Sequence, residues 1–266
     1  MQPQTRPLAG LDLWVTRPAG QADRLIALLQ QAGATVSHLP LLAIEPLPQT
    51  AAARRLLLNL DRYQAVIFIS SNAARLGAEA ILDLWPQLPT GIDWLAVGAA
   101  TQATLAEFDI TAEIPAGGSD SEALLALPQL GSERVAGRAI LIVRGTGGRE
   151  TLREQLQTRG ARVDYLELYR RICPASTLEQ IRNWSRPLPD LVIASSGEGI
   201  DHLRRTLTGP LLAMLERPLL LPSTRLAQLA GELGFRQPLV ADDASDDALL
   251  TCLLQWRARN AETLLA

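Results

Sequence analysis

The sequence contains no lysine: all 25 basic residues among its 266 are arginine. A lysine Schiff base, lysine-dependent pyridoxal chemistry and a Walker-type phosphate loop each need an ε-amino group, so all three are excluded. The 28 acidic residues give a formal net charge of −3. Aromatic residues make up only 4% of the chain and are scattered, which argues against a platform for stacking bases. We therefore expect no nucleic-acid partner.

Metal ligands are also scarce. The two cysteines, Cys173 and Cys252, lie far apart without a CxxC pattern, and the only histidines are His38 and His202. No cluster has the spacing of a metal site, so we expect free thiols, no metal and no cofactor. The N-terminal residues lack the pattern of a signal peptide, and no apolar run approaches the length of a membrane span. These absences predict a cytoplasmic protein without membrane contact.

Short apolar runs alternate with stretches of helical period along the chain, which is typical of α/β proteins with parallel sheets. Helices are predicted between the strands, for example over 21–32 and 148–158. The predicted strands are 11–16, 35–39, 65–70, 94–97, 112–114, 139–143, 162–166, 191–195, 219–221 and 239–241.

An internal repeat appears when the chain is shifted against itself by 127 residues. Under that shift identical residues coincide, among them Arg17 with Arg144, Gly20 with Gly147, Leu25 with Leu152, Leu29 with Leu156, Gly33 with Gly160 and Val36 with Val163. The chain is therefore predicted to contain two copies of one βα array. Such copies fold either as two consecutive lobes or with their first βαβ units exchanged between the lobes.

One extended apolar segment follows the first unit of each copy: 38–48 in the first copy and 165–174 in the second. The first segment contains prolines at 40, 46 and 48, and the second ends at Pro174. Neither segment resembles a continuation of the preceding strand and helix pattern, so we interpret them as paired connectors. The expected architecture is two similar lobes, each a parallel sheet flanked by helices, joined by a two-stranded β connector. With exchange, lobe 1 comprises 1–40 and 174–266, lobe 2 comprises 47–166, and the connectors are 41–46 and 167–173.

Ligands of parallel α/β folds collect beyond the carboxyl ends of the strands, where helix N-termini present free N–H groups. Any one small polar residue there is explained equally well as a helix cap. The recurrence of such residues in both copies favours a polyanion-binding cleft between the lobes, because amides, hydroxyls and arginines bind carboxylates without lysine. The candidate binding residues are Thr16, Arg17, Ser70, Ser71, Asn72, Gly98, Thr101, Arg144, Gly145, Arg149, Ser195, Ser196, Ser223 and Thr224.

Familiar catalytic motifs are absent. The run that begins at Gly145 does not complete GxGxxG, because its sixth position is Glu150, and no GxSxG occurs. Tyr169 lies beside Arg170 and Arg171 in the second connector. Its phenol is a candidate proton donor, and packing of the connector by its ring is an equally good explanation.

Together these residues resemble the uroporphyrinogen-III synthase family. The motifs are Thr16-Arg17-Pro18, Ser70-Ser71-Asn72, Val97-Gly98 followed by Thr101, Ser121-Glu122 with Leu124-Leu125, Arg144-Gly145 with Arg149, and Tyr169-Arg170. Each motif alone is weak, but their order, spacing and duplication are specific, and the likeness extends over 11–256.

The resemblance implies two α/β lobes and a cyclising lyase that needs neither metal nor cofactor. Its substrate would be linear hydroxymethylbilane, a polycarboxylate, converted to uroporphyrinogen III with inversion of ring D and loss of water. The protein would mainly fold the substrate and prevent direct end-to-end closure, while Tyr169 or a substrate carboxyl assists departure of the hydroxyl. A monomer with transient contacts to neighbouring tetrapyrrole-pathway enzymes is expected. The alternative is a two-lobed cytoplasmic binding protein for an anionic metabolite.

Overall fold

The computed structural model describes residues 6–118 and 120–263. Within these ranges the strands are β1 (Asp12–Val15), β2 (Thr35–His38), β3 (Ala43–Pro46), β4 (Tyr63–Phe68), β5 (Asp93–Ala96), β6 (Ala139–Gly145), β7 (Arg162–Ile172), β8 (Leu191–Ile193), β9 (Pro218–Leu221) and β10 (Gln237–Val240). The helices are α1 (Asp23–Gln31), α2 (Ala51–Leu58), α3 (Ser71–Leu82), α4 (Ala99–Ala106), α5 (Ser121–Leu125), α6 (Ser132–Val135), α7 (Thr151–Thr158), α8 (Ala175–Arg182), α9 (Gly197–Thr206), α10 (Thr224–Glu232) and α11 (Asp246–Thr263). Short 3₁₀ helices occur at Leu60–Arg62, Pro128–Leu130 and Gly209–Glu216.

The chain divides into two compact units. Unit 1 takes its described residues from Met1–Ala43 and Ile172–Ala266, and unit 2 is the continuous segment Ile44–Arg171. Each unit is built on a sheet of five strands. The assignment of 41–46 and 167–173 as connectors stays a prediction.

Sheet order demonstrates the exchange of the first βαβ units. The sheet of unit 1 has the order β10-β9-β8-β1-β2, and the sheet of unit 2 has the order β3-β7-β6-β4-β5. The repeat relates β1 to β6 and β2 to β7. In unit 1, β1 and β2 of the first copy lie in one sheet with β8, β9 and β10 of the second copy. In unit 2, β6 and β7 of the second copy lie in one sheet with β4 and β5 of the first copy. Neighbours from β10 through β2 and from β7 through β5 run parallel. The predicted α/β architecture with exchanged first units is confirmed.

Both faces of each sheet are covered, which explains why the central strands are almost continuous apolar runs. In β6 the six residues from Ala139 to Arg144 are all buried. Alternate residues enter different cores: Leu141 packs with Phe68 on one face, and Ile142 packs with Ile67 on the other. The sheet of unit 1 repeats this arrangement, with Trp14 on one face and Leu13 on the other.

Three local predictions from the sequence were wrong. The segment 112–114 pairs with the edge strand β5 through Glu113 alone, whose N–H donates to the Trp94 carbonyl and whose carbonyl accepts from the Ala96 N–H. One paired residue makes an isolated bridge and not a strand. β7 continues without interruption from Arg162 to Ile172, so 165–174 does prolong the preceding strand. α7 begins at Thr151, later than predicted, because Gly147 and Gly148 adopt φ values of +72° and +96° that are incompatible with a helix.

No helix in the described part of the chain combines the length and apolar character required to cross a bilayer.

Candidate functional site

Ser70 and Tyr169 meet at the carboxyl edge of the unit 2 sheet. Ser70 follows β4 and caps α3, because its Oγ accepts the N–H of Ala73 at 3.0 Å. The same Oγ lies 2.9 Å from the phenolic oxygen of Tyr169. α3 is held close to the sheet because Gly77 has no side chain: a Cβ there would lie 2.8 Å from Phe68. The backbone therefore places two hydroxyls from distant positions in one hydrogen bond.

The ring of Tyr169 packs directly on the backbone of Gly145. A Cβ at Gly145 would lie 2.5 Å from Cε2 of that ring, so only glycine fits at the end of β6. Tyr169 is 1% exposed, and its carbonyl oxygen accepts the N–H of Thr146 at 2.8 Å. The ring of Tyr169 therefore packs in the core, as one interpretation of the sequence has it, and its role as a proton donor stays a prediction.

Arg144 is buried in a polar cluster at the same sheet edge. Its Nη1 donates to Oε1 of Glu150 at 3.1 Å, its Nε donates to the Gly145 carbonyl at 3.2 Å, and its Nη2 donates to the Gly147 carbonyl. The guanidinium carbon lies 4.3 Å from the centre of the Tyr165 ring, a cation–π distance. All of these interactions lie within unit 2.

Glu150 also accepts the hydroxyl of Tyr165, at 2.8 Å from Oε2. This hydrogen bond and the nearby positive charge of Arg144 hold the pKa of Glu150 below its ordinary value of 4.5. Burial, followed by the same hydrogen bond, raises the pKa of Tyr165 to about 12. Tyr165 therefore remains a protonated donor at neutral pH.

These groups surround a pocket of about 350 Å³ in unit 2. Among the predicted site residues, Arg144, Gly145, Arg149 and Tyr169 line the pocket, together with apolar residues such as Ile69 and Leu124. Asp120 and Ser121, at the start of α5, also belong to the lining. The structure thus brings four predicted residues together, and Ser70 contacts one of them.

The remaining candidates of unit 2 lie at nearby strand ends. Ser71 and Asn72 are half-buried in the first turn of α3. Gly98 precedes α4 with extended backbone, at a φ of −175°. Thr101 is only 3% exposed. These four residues do not line the pocket.

The candidates of unit 1 occupy the corresponding strand ends of its own sheet. Thr16 is buried, and its hydroxyl donates to the Ile193 carbonyl at 3.0 Å. The Arg17 guanidinium donates to Asp246 and to the Ala244 carbonyl, each at 2.6 Å. These bonds attach the turn after β1 to the start of α11, and they leave Arg17 only 9% exposed. The contacts give Arg17 a structural role, and its binding of substrate stays a prediction.

Residues with hydroxyl side chains also follow the ends of β8 and β9. Ser196 caps α9 by accepting the Gly199 N–H at 3.1 Å, and Ser223 caps α10 by accepting the Leu226 N–H at 3.4 Å. Ser195 is half-buried and Thr224 is exposed. Capping explains two of these four residues, as the alternative interpretation of the sequence anticipated.

Neither histidine has a catalytic arrangement. Nε2 of His38 lies 2.9 Å from the Arg17 carbonyl, and Nδ1 of His202 lies 2.8 Å from the Leu41 carbonyl. The two cysteines are half-buried free thiols. Across the residues that the structure describes, no group of three histidine, cysteine or acidic side chains has the geometry of a metal site.

Sequence reasoning missed Glu150 and Tyr165 as parts of the site. In the sequence, Glu150 only interrupts the dinucleotide fingerprint, and Tyr165 falls in a predicted strand and at the start of the segment 165–174. A signal was present, since Glu150 follows a glycine-rich turn after a strand that ends in arginine. The pairing of these residues with Arg144 depends on the register of β6 and β7, which the sequence does not display.

A family model described as uroporphyrinogen-III synthase HemD matches residues 23–251. The chain belongs to the uroporphyrinogen-III synthase family. Uroporphyrinogen-III synthase of Escherichia coli (strain K12) is 32% identical over 252 residues, which cover 91% of this chain and 100% of that protein. The uroporphyrinogen-III synthase of Salmonella typhimurium (strain LT2) is 34% identical over 259 residues, with the same two coverages of 91% and 100%.

Solved structures of uroporphyrinogen-III synthases share the fold. A mutant of the Thermus thermophilus enzyme superposes with a TM-score of 0.64 at 18% identity, covering 94% of this chain and 100% of that one. The enzyme of Helicobacter pylori 26695 gives a TM-score of 0.57 at 13% identity, covering 92% and 99%. The family model and the sequence relatives establish uroporphyrinogen-III synthase activity, a lyase activity of tetrapyrrole biosynthesis. The predicted family, fold class and activity are confirmed.

Proposed function

We propose that unit 2 supplies a reactive hydroxyl pair and a carboxylate-binding pocket for the cyclisation of linear hydroxymethylbilane to uroporphyrinogen III. The observation that carries this proposal is the hydrogen bond between Ser70 and Tyr169 beside a pocket lined by arginine. Linear hydroxymethylbilane carries acetate and propionate groups, which arginine and backbone N–H groups bind well.

Tyr169 assists the first chemical step by donating its phenolic proton to the hydroxyl of the substrate. The carbon–oxygen bond then breaks and water leaves, while the pyrrole nitrogen supplies electrons and gives up its N–H proton, so that an azafulvene forms. One proton returned to the phenolate restores Tyr169. Ser70 supports this transfer because its Oγ lies 2.9 Å from the phenolic oxygen, so its own proton can stabilise the developing negative charge. The substituted carbon of ring D attacks the azafulvene, and the resulting spiro intermediate fragments and recloses with ring D inverted.

Arg149 is a cationic side chain of this pocket that is available to a substrate carboxylate. It is exposed, lines the pocket, and has no hydrogen-bond or ion-pair partner among the described residues. Arg144 lines the same pocket, but three of its donors are occupied. Arg149 therefore contributes binding, whereas Tyr169 contributes to the chemical step.

Steady-state kinetics with hydroxymethylbilane, combined with separation of the type I and type III products, tests both roles. Tyr169→Phe should lower kcat about 100-fold, as expected for loss of a general acid, and should raise the share of type I product. Tyr63→Phe is the matched control, because the Tyr63 hydroxyl bonds Asp164 outside the pocket. Arg149→Ala should raise KM with kcat retained, compared with the exposed Arg138→Ala.

Two results would contradict this proposal. Tyr169→Phe with a normal kcat and a lowered melting temperature would leave Tyr169 a packing residue only. An Arg149→Ala variant with an unchanged KM would remove Arg149 from the binding site.

A further inference from the structure

Glu150 immediately precedes α7, but its side chain bonds residues of β6 and β7 and not the helix. It is the residue before α7, and its side chain accepts no N–H from the first turn of that helix. Its two carboxylate oxygens instead accept from Nη1 of Arg144, at 3.1 Å, and from the hydroxyl of Tyr165, at 2.8 Å. Glutamate is not among the residues that usually cap helices, and both carboxylate oxygens of Glu150 are committed to side chains of the sheet, which indicates a role in fixing the turn before α7.

Arg144 links Glu150 to the rest of the turn. With 3% of its side chain exposed, it donates to Glu150 and to the carbonyls of Gly145 and Gly147. Tyr165 lies against the face of the guanidinium, with 4.3 Å between the ring centre and Cζ. Three of the five guanidinium N–H groups are thus bonded within the turn. The guanidinium therefore connects Gly145, Gly147 and Glu150 of the turn 145–150 by hydrogen bonds.

The turn is fixed at both of its ends. Near its start, the N–H of Thr146 donates to the Tyr169 carbonyl at 2.8 Å. Near its end, Glu150 is held by Arg144 and Tyr165. Gly148 has a φ of +96°, and a Cβ there would lie 3.0 Å from Nη2 of Arg144, so the backbone and the guanidinium fit closely. Arg149 lies between these anchors.

We propose that Glu150 and Tyr165 are positioning residues for substrate binding: through Arg144 they hold the turn 145–150 so that Arg149 is presented to the pocket in one arrangement. This inference rests on the proposed role of Arg149 in carboxylate binding. Glu150 lies outside the pocket lining, and although Tyr165 belongs to the lining, its hydroxyl is bonded to Glu150. Their effect comes from preorganisation, since a turn that is already ordered loses less conformational entropy when the ligand binds.

The effect should therefore appear in binding and leave the chemical step intact. The Glu150 carboxylate bonds Arg144 and Tyr165, whereas the ring and the hydroxyl of Tyr169 are held by the surrounding core and by Ser70. Loosening the turn should not remove its hydroxyl from the reacting end. Glu150→Gln and Tyr165→Phe should each raise KM for hydroxymethylbilane about fivefold to tenfold, while kcat changes less than about twofold.

The matched control is Glu154→Gln, which removes the same charge from an exposed position in the first turn of α7. Its KM should equal that of the unchanged protein. Tyr165→Phe is a second, milder variant, because it keeps the ring that stacks on Arg144 and removes only the hydroxyl bonded to Glu150. Melting temperatures of all variants establish that they are folded at the assay temperature.

A double-mutant cycle with Arg149→Ala separates positioning from other effects. If Glu150 acts by presenting Arg149, then Glu150→Gln should cause no further rise in KM once Arg149 is alanine. Multiplicative effects of the two substitutions would overturn the inference, as would Glu150→Gln with an unchanged KM or with a kcat loss equal to its loss in kcat/KM. An unchanged KM in Arg149→Ala alone would instead overturn the proposed role of Arg149, so the two failures are distinguishable.

Discussion

Substitution of Gly145 by alanine tests the close approach between β6 and Tyr169. A Cβ at this position would lie 2.5, 2.8 and 2.9 Å from three atoms of the Tyr169 ring, all shorter than ordinary contacts. The ring cannot move freely, because it is 1% exposed and its hydroxyl is bonded to Ser70. Gly145 does not have a positive φ, so the clash with the ring is the expected source of strain.

Overpacking of this kind typically costs about 1–3 kcal/mol, and three short contacts place Gly145→Ala near the upper end. At about 2–4 °C per kcal/mol for chains of similar size, the melting temperature should fall by about 6–12 °C. Movement of the ring also breaks the bond between Tyr169 and Ser70, so kcat should fall as in Tyr169→Phe. Differential scanning calorimetry and product-isomer analysis measure the two effects.

A double variant shows whether the ring is responsible. In a Tyr169→Leu background the ring is gone, so adding Gly145→Ala should cost clearly less free energy of unfolding than it does alone. The control is Gly231→Ala in α10, where a Cβ meets open space and alanine favours the helix. The reasoning is refuted if Gly145→Ala retains both the melting temperature and the kcat of the unchanged protein.

Three further outcomes are expected. Asp246→Ala should lower the free energy of unfolding, measured in urea, by about 3 kcal/mol, because it leaves the buried Arg17 charge unpaired. The control Asp247→Ala removes an exposed ion pair and should cost less than about 1 kcal/mol, so equal losses would contradict the reasoning. In an ultraviolet titration the native protein should form phenolate at higher pH than the protein in urea, because burial raises the pKa of both Tyr63 and Tyr165, that of Tyr165 to about 12. The stability associated with Tyr165 is present below pH 10 and lost as pH rises through 12, and coincident curves would exclude both raised values. The lowered pKa of Glu150 contributes stability that is present above pH 4.5 and lost as pH falls through the lowered value, so Glu150→Gln should flatten the acid limb of melting temperature against pH.

The repeat in the sequence predicted two copies of one βα array, and the matching extended segments after the first units favoured the exchange of those units. Residues that coincide under the shift, such as Arg17 and Arg144, fall at the ends of β1 and β6, which hold equivalent places in the two sheets. The strand signals were also strong where both faces are buried, as in β6. They failed where burial is one-sided or brief, at the isolated bridge of Glu113 and along the half-exposed end of β7.

The site was only partly predictable, because position at a strand end does not reveal which partners a side chain meets. Arg17 and Arg144 are equivalent in the repeat, yet one is bound by Asp246 from a distant helix and the other by Glu150 from the adjacent turn. The sequence also could not show that Gly145 admits the ring of Tyr169. Each of these contacts depends on strand register and on a side chain far away in the chain.

The exchange of βαβ units has a consequence for the order in which the protein matures on the ribosome. Unit 2 is one uninterrupted stretch, Ile44–Arg171, so every strand and helix it needs has been translated before the last third of the chain is made. Unit 1 must wait, because β1 pairs with β8, which begins only at Leu191, and β2 at the sheet edge pairs with β1. During that interval the side chains of Leu13, Trp14 and Leu25 lack the core residues that surround them in the native fold. Apolar side chains left exposed on a nascent chain promote aggregation and bind chaperones. The isolated segment 44–171 is accordingly expected to fold on its own, whereas the first 43 residues are not.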